Sequence, residues 1–162
     1  MSEIPWLPEF VERTAEETQE AYLDRLYVLF RDELMTYVPP AFAPKIIAFS
    51  AAVTDGRCET FHHCTTTEPL RNRPRVFDPH RAKRIRWIRP MIEAAADPSR
   101  TVSWSARAHG EMRFKIALPD FRYLVVFTES SNVMFLVSAF YVVDPNYRRQ
   151  IAREKRRAEL PL

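Results

Sequence analysis

The stretch V-F-D-P-H-R-A-K-R-I-R-W-I-R-P-M-I-E, residues 76–93, decides the fold, because it joins a clear helix start to an apolar stripe. Asp78 is suited to the N-cap, and Pro79 to the first helical position, where its missing N–H costs nothing. Apolar residues at helical spacing share one face, which we expect to pack on the core: Ile85, Ile88, Ile92 and Ala95. Pro90 is expected to kink or divide this helix.

Two arginines lie on or near that inward face. Arg81 falls inside the apolar stripe and Arg84 on its edge, whereas Lys83, Arg86 and Arg89 point elsewhere. A buried guanidinium needs a partner, since an unpaired buried charge costs several kcal/mol, an order-of-magnitude figure. That partner is either a carboxylate of the chain, in a structural salt bridge, or an anionic substrate at the helix N-terminus.

An acidic helical segment is predicted before this stretch. Thr14-Ala-Glu-Glu17 has the form of a capping box, and the helix should run to about Tyr37, before Pro39-Pro40. Its apolar stripe consists of Ala15, Tyr22, Leu26, Phe30 and Leu34.

Strands are predicted on both sides of the basic helix. Before it, Lys45–Val53 and Cys58–Thr66 read as two strands joined by the turn Asp55-Gly56, with His63 on one face of the second. After it come Thr101–Ala106, Met112–Leu118, Phe121–Thr128 and the central strand Asn132–Val143. Asp144-Pro145 then starts a final basic helix.

These elements predict an α+β fold in one domain, residues 1–162. An acidic helical segment, 1–40, precedes a body, 41–162, in which basic helices pack on a twisted antiparallel sheet. The chain of 162 residues with 46% hydrophobic content is long enough to bury its own core. We see no signal peptide or membrane-spanning run, and with only two cysteines a cytoplasmic location is expected.

The charge is distributed unevenly along the chain. Residues 1–38 carry three basic and nine acidic side chains, a net −6, whereas the remainder carries 21 basic and 12 acidic, a net +9. This distribution is typical of a polyanion-binding surface beside an acidic segment, although solvated helices often show similar scatter.

Several kinds of site are disfavoured. Gly56 and Gly110 are the only glycines, too few for a phosphate-binding loop or a dinucleotide fingerprint. There is no G-x-S-x-G motif, and His109 has no recognisable partner. Cys58, His62 and Cys64 would share one strand face, but this is not a familiar zinc spacing, so neither a metal nor another cofactor is expected.

A different set of residues suits phosphodiester chemistry: His63, Arg81, Arg84, Arg113 and Ser138. Cleavage of RNA without a metal needs a general base for the 2′-OH, a proton donor for the leaving oxygen and cations for the phosphorane. Histidine titrates near neutral pH, and arginine binds phosphate oxygens in bidentate fashion.

Four segments together resemble a known family. They are F-H-H-C-T-T at 61–66, F-D-P-H-R-A-K-R-I-R-W-I-R-P-M-I-E at 77–93, E-M-R-F-K-I-A-L-P-D-F-R-Y-L-V-V-F at 111–127 and L-V-S-A-F-Y-V at 136–142. With the basic C-terminal helix, they resemble phage- and prophage-encoded nuclease-like proteins of the barnase/EndoU/colicin/RelE-like superfamily. The resemblance covers about Leu26 to Arg157.

The resemblance implies roles for individual residues. His63, Arg81 and Ser138 fall on its catalytic positions, and the expected substrate-binding residues are Arg84, Arg113, Tyr141, Arg153 and Arg156. The family pattern has Trp where this chain has His62 and Tyr where it has Phe140. If that tyrosine hydroxyl takes part in cleavage, its loss weakens or abolishes catalysis.

Three functions therefore remain open. The first is a small, toxin-like, metal-independent endoribonuclease that leaves a 2′,3′-cyclic phosphate, with RNA as substrate and a cognate immunity or antitoxin protein as partner. The second is an inert RNA- or DNA-binding module that uses the same basic face. The third is a phage–host interaction domain whose basic face meets an acidic protein.

Overall fold

The computed structural model describes residues 4–36, 45–50 and 52–159, which form the predicted α+β fold. Its α-helices are α1 Gln19–Phe30, α2 Glu59–Thr65, α3 Pro79–Ala82, α4 Ile88–Glu93 and α5 Pro145–Glu159. Its strands are β1 Ile46–Ala48, β2 Val53–Thr54, β3 Arg57–Cys58, β4 Thr66–Thr67, β5 Val76–Phe77, β6 Val102–Ala108, β7 Glu111–Ala117, β8 Tyr123–Glu129 and β9 Val133–Tyr141. The predicted helix end near Tyr37 and Pro39-Pro40 lies outside the described residues.

The main sheet has the strand order β1-β9-β8-β7-β6. Its antiparallel part, β6 to β9, follows the four predicted strands closely, and β9 lies inside the sheet as expected. The predicted antiparallel sheet is confirmed for β6 to β9, but at one edge β1 runs parallel to Val133–Phe135. The predicted strand Lys45–Val53 is reduced to β1, and Val53 belongs to a separate two-residue pairing with β3.

Helices cover both faces of this sheet. One face packs against α1, α2 and the α3–α4 region in a core that includes Leu26, Phe61, Ile88 and Phe127. The other face carries a smaller cluster, in which Ile151 of α5 packs near Trp104. Among the described residues, no helix combines the length and apolar character needed to cross a bilayer.

The helix starts were predicted well where a cap residue precedes a proline. Asp78 accepts hydrogen bonds from the N–H groups of His80 and Arg81, and Pro79 opens α3. The stripe of Ile85, Ile88 and Ile92 is fully buried as expected. Pro90 lies in the first turn of α4, so the predicted helix is divided ahead of it by a 3₁₀ turn, Ile85–Trp87.

The start of the first helix was placed too early. Thr18, not Thr14, is the N-cap of α1, and its hydroxyl accepts from the N–H of Ala21. Glu17 does accept from the N–H of Thr14, but this contact closes a separate turn, so Ala15 is exposed and outside the stripe. The rest of the stripe, from Tyr22 to Leu34, is buried as predicted.

The prediction of a strand over Cys58–Thr66 was wrong, because residues 59–65 form helix α2. Its buried side chains are Thr60, Phe61, Cys64 and Thr65, which is helical spacing. The β-branched and aromatic residues suggested a strand, but packing of this stripe against β9 overrides local propensity. Asp55 and Gly56 adopt the positive φ values of the expected hairpin turn, which joins only β2 and β3.

Thr60 fixes α2 to the sheet and gives a test of this packing. Its buried hydroxyl accepts from the N–H of Ser50 and lies 3.4 Å from the carbonyl oxygen of Leu136 in β9. Thr60→Val keeps the shape but leaves both groups without their partner, so we expect a loss of about 1–3 kcal/mol in the free energy of unfolding, measured in urea.

Thr54→Val is the matched control, since Thr54 is exposed on β2. It should change stability by less than about 0.5 kcal/mol. Equal losses in the two variants would show that the Thr60 hydroxyl does not hold α2 on β9.

Candidate active site

The site is built where α2 and α3 pack along β9. Within the described residues, β1 pairs with β9 only as far as Phe135. Beyond that point α2 and α3 lie against β9, which covers its edge with helices instead of another strand. The pairing of β8 with β9 is also irregular here, since Phe127 pairs with Leu136 and Val126 with Ser138, which leaves Val137 as an extra residue in a bulge.

The structure brings three of the predicted residues together, but through a main-chain atom. The carbonyl oxygen of His63 accepts a hydrogen bond from Nη1 of Arg81 at 2.8 Å and from the hydroxyl of Ser138 at 2.9 Å. Arg81 Nη1 also lies 3.5 Å from the Ser138 hydroxyl oxygen. Since His63 is in the last turn of α2, this carbonyl is one that the helix itself leaves without a partner.

The inward-facing guanidinium of Arg81 therefore contacts groups of the chain, chiefly the carbonyl oxygen of His63. Asp78 adds a carboxylate, with its Oδ2 at 3.4 Å from Nε of Arg81. Burial lowers the pKa of Arg81, against the opposing charge of Asp78. The guanidinium also lies over the ring of Phe140, 5.1 Å from its centroid, where the family pattern has tyrosine.

The imidazole of His63 is separate from these main-chain contacts. Its side chain is 33% exposed, and Nε2 lies 3.6 Å from Oε1 of Glu59, one turn earlier in α2. Burial and then the charge of Arg75 lower the pKa of His63 below its ordinary value, although Glu59 opposes them. A lowered pKa favours the neutral imidazole, the state in which it accepts a proton.

Two clefts meet at His63. The first, here called the arginine cleft, has a volume of about 670 Å³, and its lining includes His63, Arg75, Arg81, Ser138, Phe140 and Tyr147. The second, the apolar cleft, has a volume of about 540 Å³, and its lining includes His63, Glu111, Arg113, Val133, Phe135 and Val137. They share His63 and are lined by consecutive parts of β9, and the two together are here called the groove along β9.

The arginine cleft is mixed in charge. Three carboxylates line it as well: Glu68, Asp78 and Asp144. Two of these are already engaged as helix caps, because Asp78 caps α3 and Asp144 accepts from the N–H of Asn146 at the start of α5. Arg75 and Arg81 are the two arginines in this lining, so an anion in the cleft would bind at them.

Two predicted substrate-binding residues have structural contacts instead. The guanidinium of Arg84 is buried and stacks 3.7 Å from the ring centroid of Tyr141 and 4.7 Å from that of Phe10. His80 stacks on Tyr141 as well. This cluster ties the N-terminal segment to α3 and β9, although Tyr141 still lines the arginine cleft.

The remaining predicted residues lie outside the arginine cleft. Arg113 is in the apolar cleft, paired with Glu111 at 3.2 Å. Arg153 and Arg156 are exposed on α5, where they line a shallow groove with Arg149. The N-terminal end of the same helix contributes Tyr147 and Gln150 to the arginine cleft, so the basic face of α5 leads away from that cleft.

Sequence reasoning missed Glu59 and Arg75. The spacing of Glu59 and His63, four residues apart, signals a pair only on a helix, since four strand residues span about 13 Å. Arg75 lies in an arginine-containing connection, and nothing in its spacing marked it. It is held by hydrogen bonds from Nε and Nη2 to the hydroxyl and carbonyl oxygens of Thr66.

The geometry of the cysteines and His62 also differs from expectation. Cys58, His62 and Cys64 no longer share a strand face, both thiols are buried, and His62 Nε2 contacts the carbonyl oxygen of Thr54 at 2.9 Å. In the ranges 4–36, 45–50 and 52–159, no three His, Cys, Asp or Glu side chains are grouped as ligands for a metal ion.

Comparison with known proteins adds no family to these observations. No protein-family model, curated protein or solved structure matches the chain. The resemblance to the nuclease-like superfamily therefore stays a prediction from sequence motifs, and the groove along β9 is the basis for any functional proposal.

Proposed function

We propose that this chain is a small, toxin-like endoribonuclease that cleaves RNA in the groove along β9 without a metal ion. The observation that carries the proposal is the partly exposed imidazole of His63, which lies between a cleft with two arginines and a cleft with an apolar strip of β9. Such a cleft with a perturbed histidine is where catalysis is best sought first.

The chemistry follows from the residues present. His63 removes the proton from the ribose 2′-OH, which attacks the adjacent phosphorus and expels the 5′-oxygen, leaving a 2′,3′-cyclic phosphate. Glu59, anchored by a hydrogen bond from the Ser50 hydroxyl, stabilises the imidazolium that forms. Arg75 and Arg81 stabilise the extra negative charge on the phosphorane. Tyr147 lines the arginine cleft, and its hydroxyl proton can pass to the leaving oxygen.

A second candidate, an RNA-binding module without catalysis, is favoured by one specific observation. Arg81 and Ser138 both bond the main-chain carbonyl of His63, and Phe140 offers no hydroxyl beneath the guanidinium. These contacts give Arg81 and Ser138 a role in holding α2 and β9 together, without any part in cleavage. Binding and cleavage must therefore be measured separately.

His63→Ala is a clean test of the proposed base. The substitution removes the imidazole but keeps the carbonyl that Arg81 and Ser138 hold, so the fold should survive. We expect turnover to fall by about 10²–10⁴-fold with little change in RNA affinity. The measurement is cleavage of a panel of cellular RNAs in EDTA, with the product ends identified.

His62→Ala is the matched control, because His62 contacts Thr54 and is absent from the lining of both clefts. It should cleave as the wild type does. Cyclic phosphate ends that persist in His63→Ala would exclude His63 as the base. A wild-type protein that binds RNA and never cuts it would favour the second candidate.

The pH dependence of cleavage provides an independent prediction. Because the pKa of His63 is lowered, the imidazole is already unprotonated, and active as a base, above about pH 6.5, the unperturbed value. The rate constant kcat/KM should rise with pH in the acidic range, with its half-maximal value below about pH 6.5. A rate that continued to rise with unit slope through pH 7 to 8 would contradict this assignment.

The basic face of α5 should contribute to RNA affinity and not to the cleavage step. Each phosphate contact that is lost reduces the slope of log K against log[salt] by about 0.7 for single-stranded RNA. Replacing Arg153 and Arg156 by Gln should therefore reduce the slope by up to about 1.4, with the cleavage position unchanged. Binding is measured by titration of labelled RNA at several salt concentrations.

Arg107→Gln is the control for loss of charge. Arg107 is exposed on β6 and pairs with Met112, so it points to the sheet face opposite Arg113. Its loss should leave the slope unchanged. A flat salt dependence of the wild-type protein would exclude a polyanion partner.

A further inference from the structure

The apolar cleft has the composition of a binding site for a small, flat group. β9 contributes an apolar strip to its lining, Val133, Phe135, Leu136 and Val137, and the other eight lining residues are polar or charged, Glu111 and Arg113 of β7 among them. The pairing register places Arg113 opposite Thr128, and Thr128 opposite Phe135, so these three side chains share one face of the sheet. Apolar side chains beside convergent polar groups are typical of ligand pockets.

The polar rim presents a donor and an acceptor next to each other. Arg113 Nη2 lies 3.2 Å from Oε2 of Glu111, while the buried Nε of Arg113 has no hydrogen-bond partner among residues 4–36, 45–50 and 52–159. The Glu111 side chain is 52% exposed and that of Arg113 is 22% exposed, so a ligand in the cleft can reach both. A nucleobase matches this pattern, since its faces are apolar and its edge carries donors and acceptors.

The position of the cleft relative to His63 fits the same ligand. His63 lines both clefts, and β9 passes from Val133 under the apolar cleft to Ser138 under the arginine cleft. From Phe135 to Ser138 the strand advances by three residues, about 10 Å, a distance that a base and a neighbouring phosphate of one extended strand can bridge. A chain with a phosphate at Arg81 thus has a neighbouring base within reach of Phe135.

We propose that the apolar cleft binds an unpaired nucleobase next to the phosphate held at Arg81, with Phe135 against its face and the Glu111–Arg113 pair at its edge. The inference rests on the proposed binding of RNA and extends it to a substrate class, single-stranded RNA with a preferred base beside the cleaved bond. Paired bases in an A-form helix do not enter such a cleft.

The test uses hexanucleotides with 2′-O-methyl groups, which bind but lack the 2′-OH needed for cleavage. They differ only in a central nucleotide, which carries A, C, G, U or no base. The wild-type protein should bind the best of these about tenfold or more tightly than the abasic probe, the scale of one stacked and hydrogen-bonded base. A duplex of the same sequence should bind more weakly than the single strand.

Two variants assign this preference to the cleft. Arg113→Gln should bring the four bases within about twofold of one another, since edge contacts are the part that discriminates. Phe135→Ala should bring the best base close to the abasic probe, with folding checked by thermal melting. Arg107→Gln should keep the wild-type preference.

The outcomes separate this inference from the nuclease proposal. Equal binding of abasic and base-containing probes, preference retained in Arg113→Gln, or no binding at all overturns the inference. Base-dependent binding that the two cleft variants remove supports it, even if unmodified RNA is never cut. Conversely, cleavage of RNA by a protein that binds all five probes equally supports the nuclease alone.

Discussion

The hydrogen bonds to the carbonyl oxygen of His63 are the interaction on which the site depends. A seven-residue helix leaves its last carbonyls without intrahelical partners, and α2 ends inside the protein, where water does not replace them. Arg81 and Ser138 supply the missing donors, from α3 and from β9. One carbonyl thus joins two helices and a strand, and it fixes the direction in which the His63 side chain leaves the main chain.

The main chain and the side chain of His63 therefore have different roles. The carbonyl of His63 takes part in packing, whereas its imidazole lies between the two clefts and contacts Glu59. Arg81 has a similar double position, since it caps α2 and still lines the arginine cleft. A guanidinium has five donors, so holding one carbonyl does not exhaust its capacity to bind a phosphate. Arg81 can therefore hold the carbonyl of His63 and bind a phosphate at the same time.

The sequence predicted the parts of the fold that depend on local signals. Asp78-Pro79 and Asp144-Pro145 mark helix starts because capping and the fixed φ of proline act within a few residues. Alternating and continuous apolar runs located β6 to β9 for the same reason. The parallel pairing of β1 was not predictable in this way, because three residues carry too little pattern to choose a partner 87 positions away, as Ile46 and Val133 are. The start of α1 at Thr18 was missed because Thr14 offers the same local signal.

The most instructive error is α2, because it changes the chemistry and not only the outline of the fold. As a strand, Cys58–Thr66 would put His63 beside Phe61 and Thr65 and would leave Glu59 about 13 Å from it along the chain. As a helix, it places Glu59 and His63 in contact and sends His62 toward the β2 carbonyl of Thr54. The resemblance selected His63 over His62 by motif alone. The helix gives a physical reason for that choice, since His63 lines both clefts and His62 lines neither. A tertiary contact that outweighs local propensity is thus what turns an isolated histidine into a candidate base with an acidic partner.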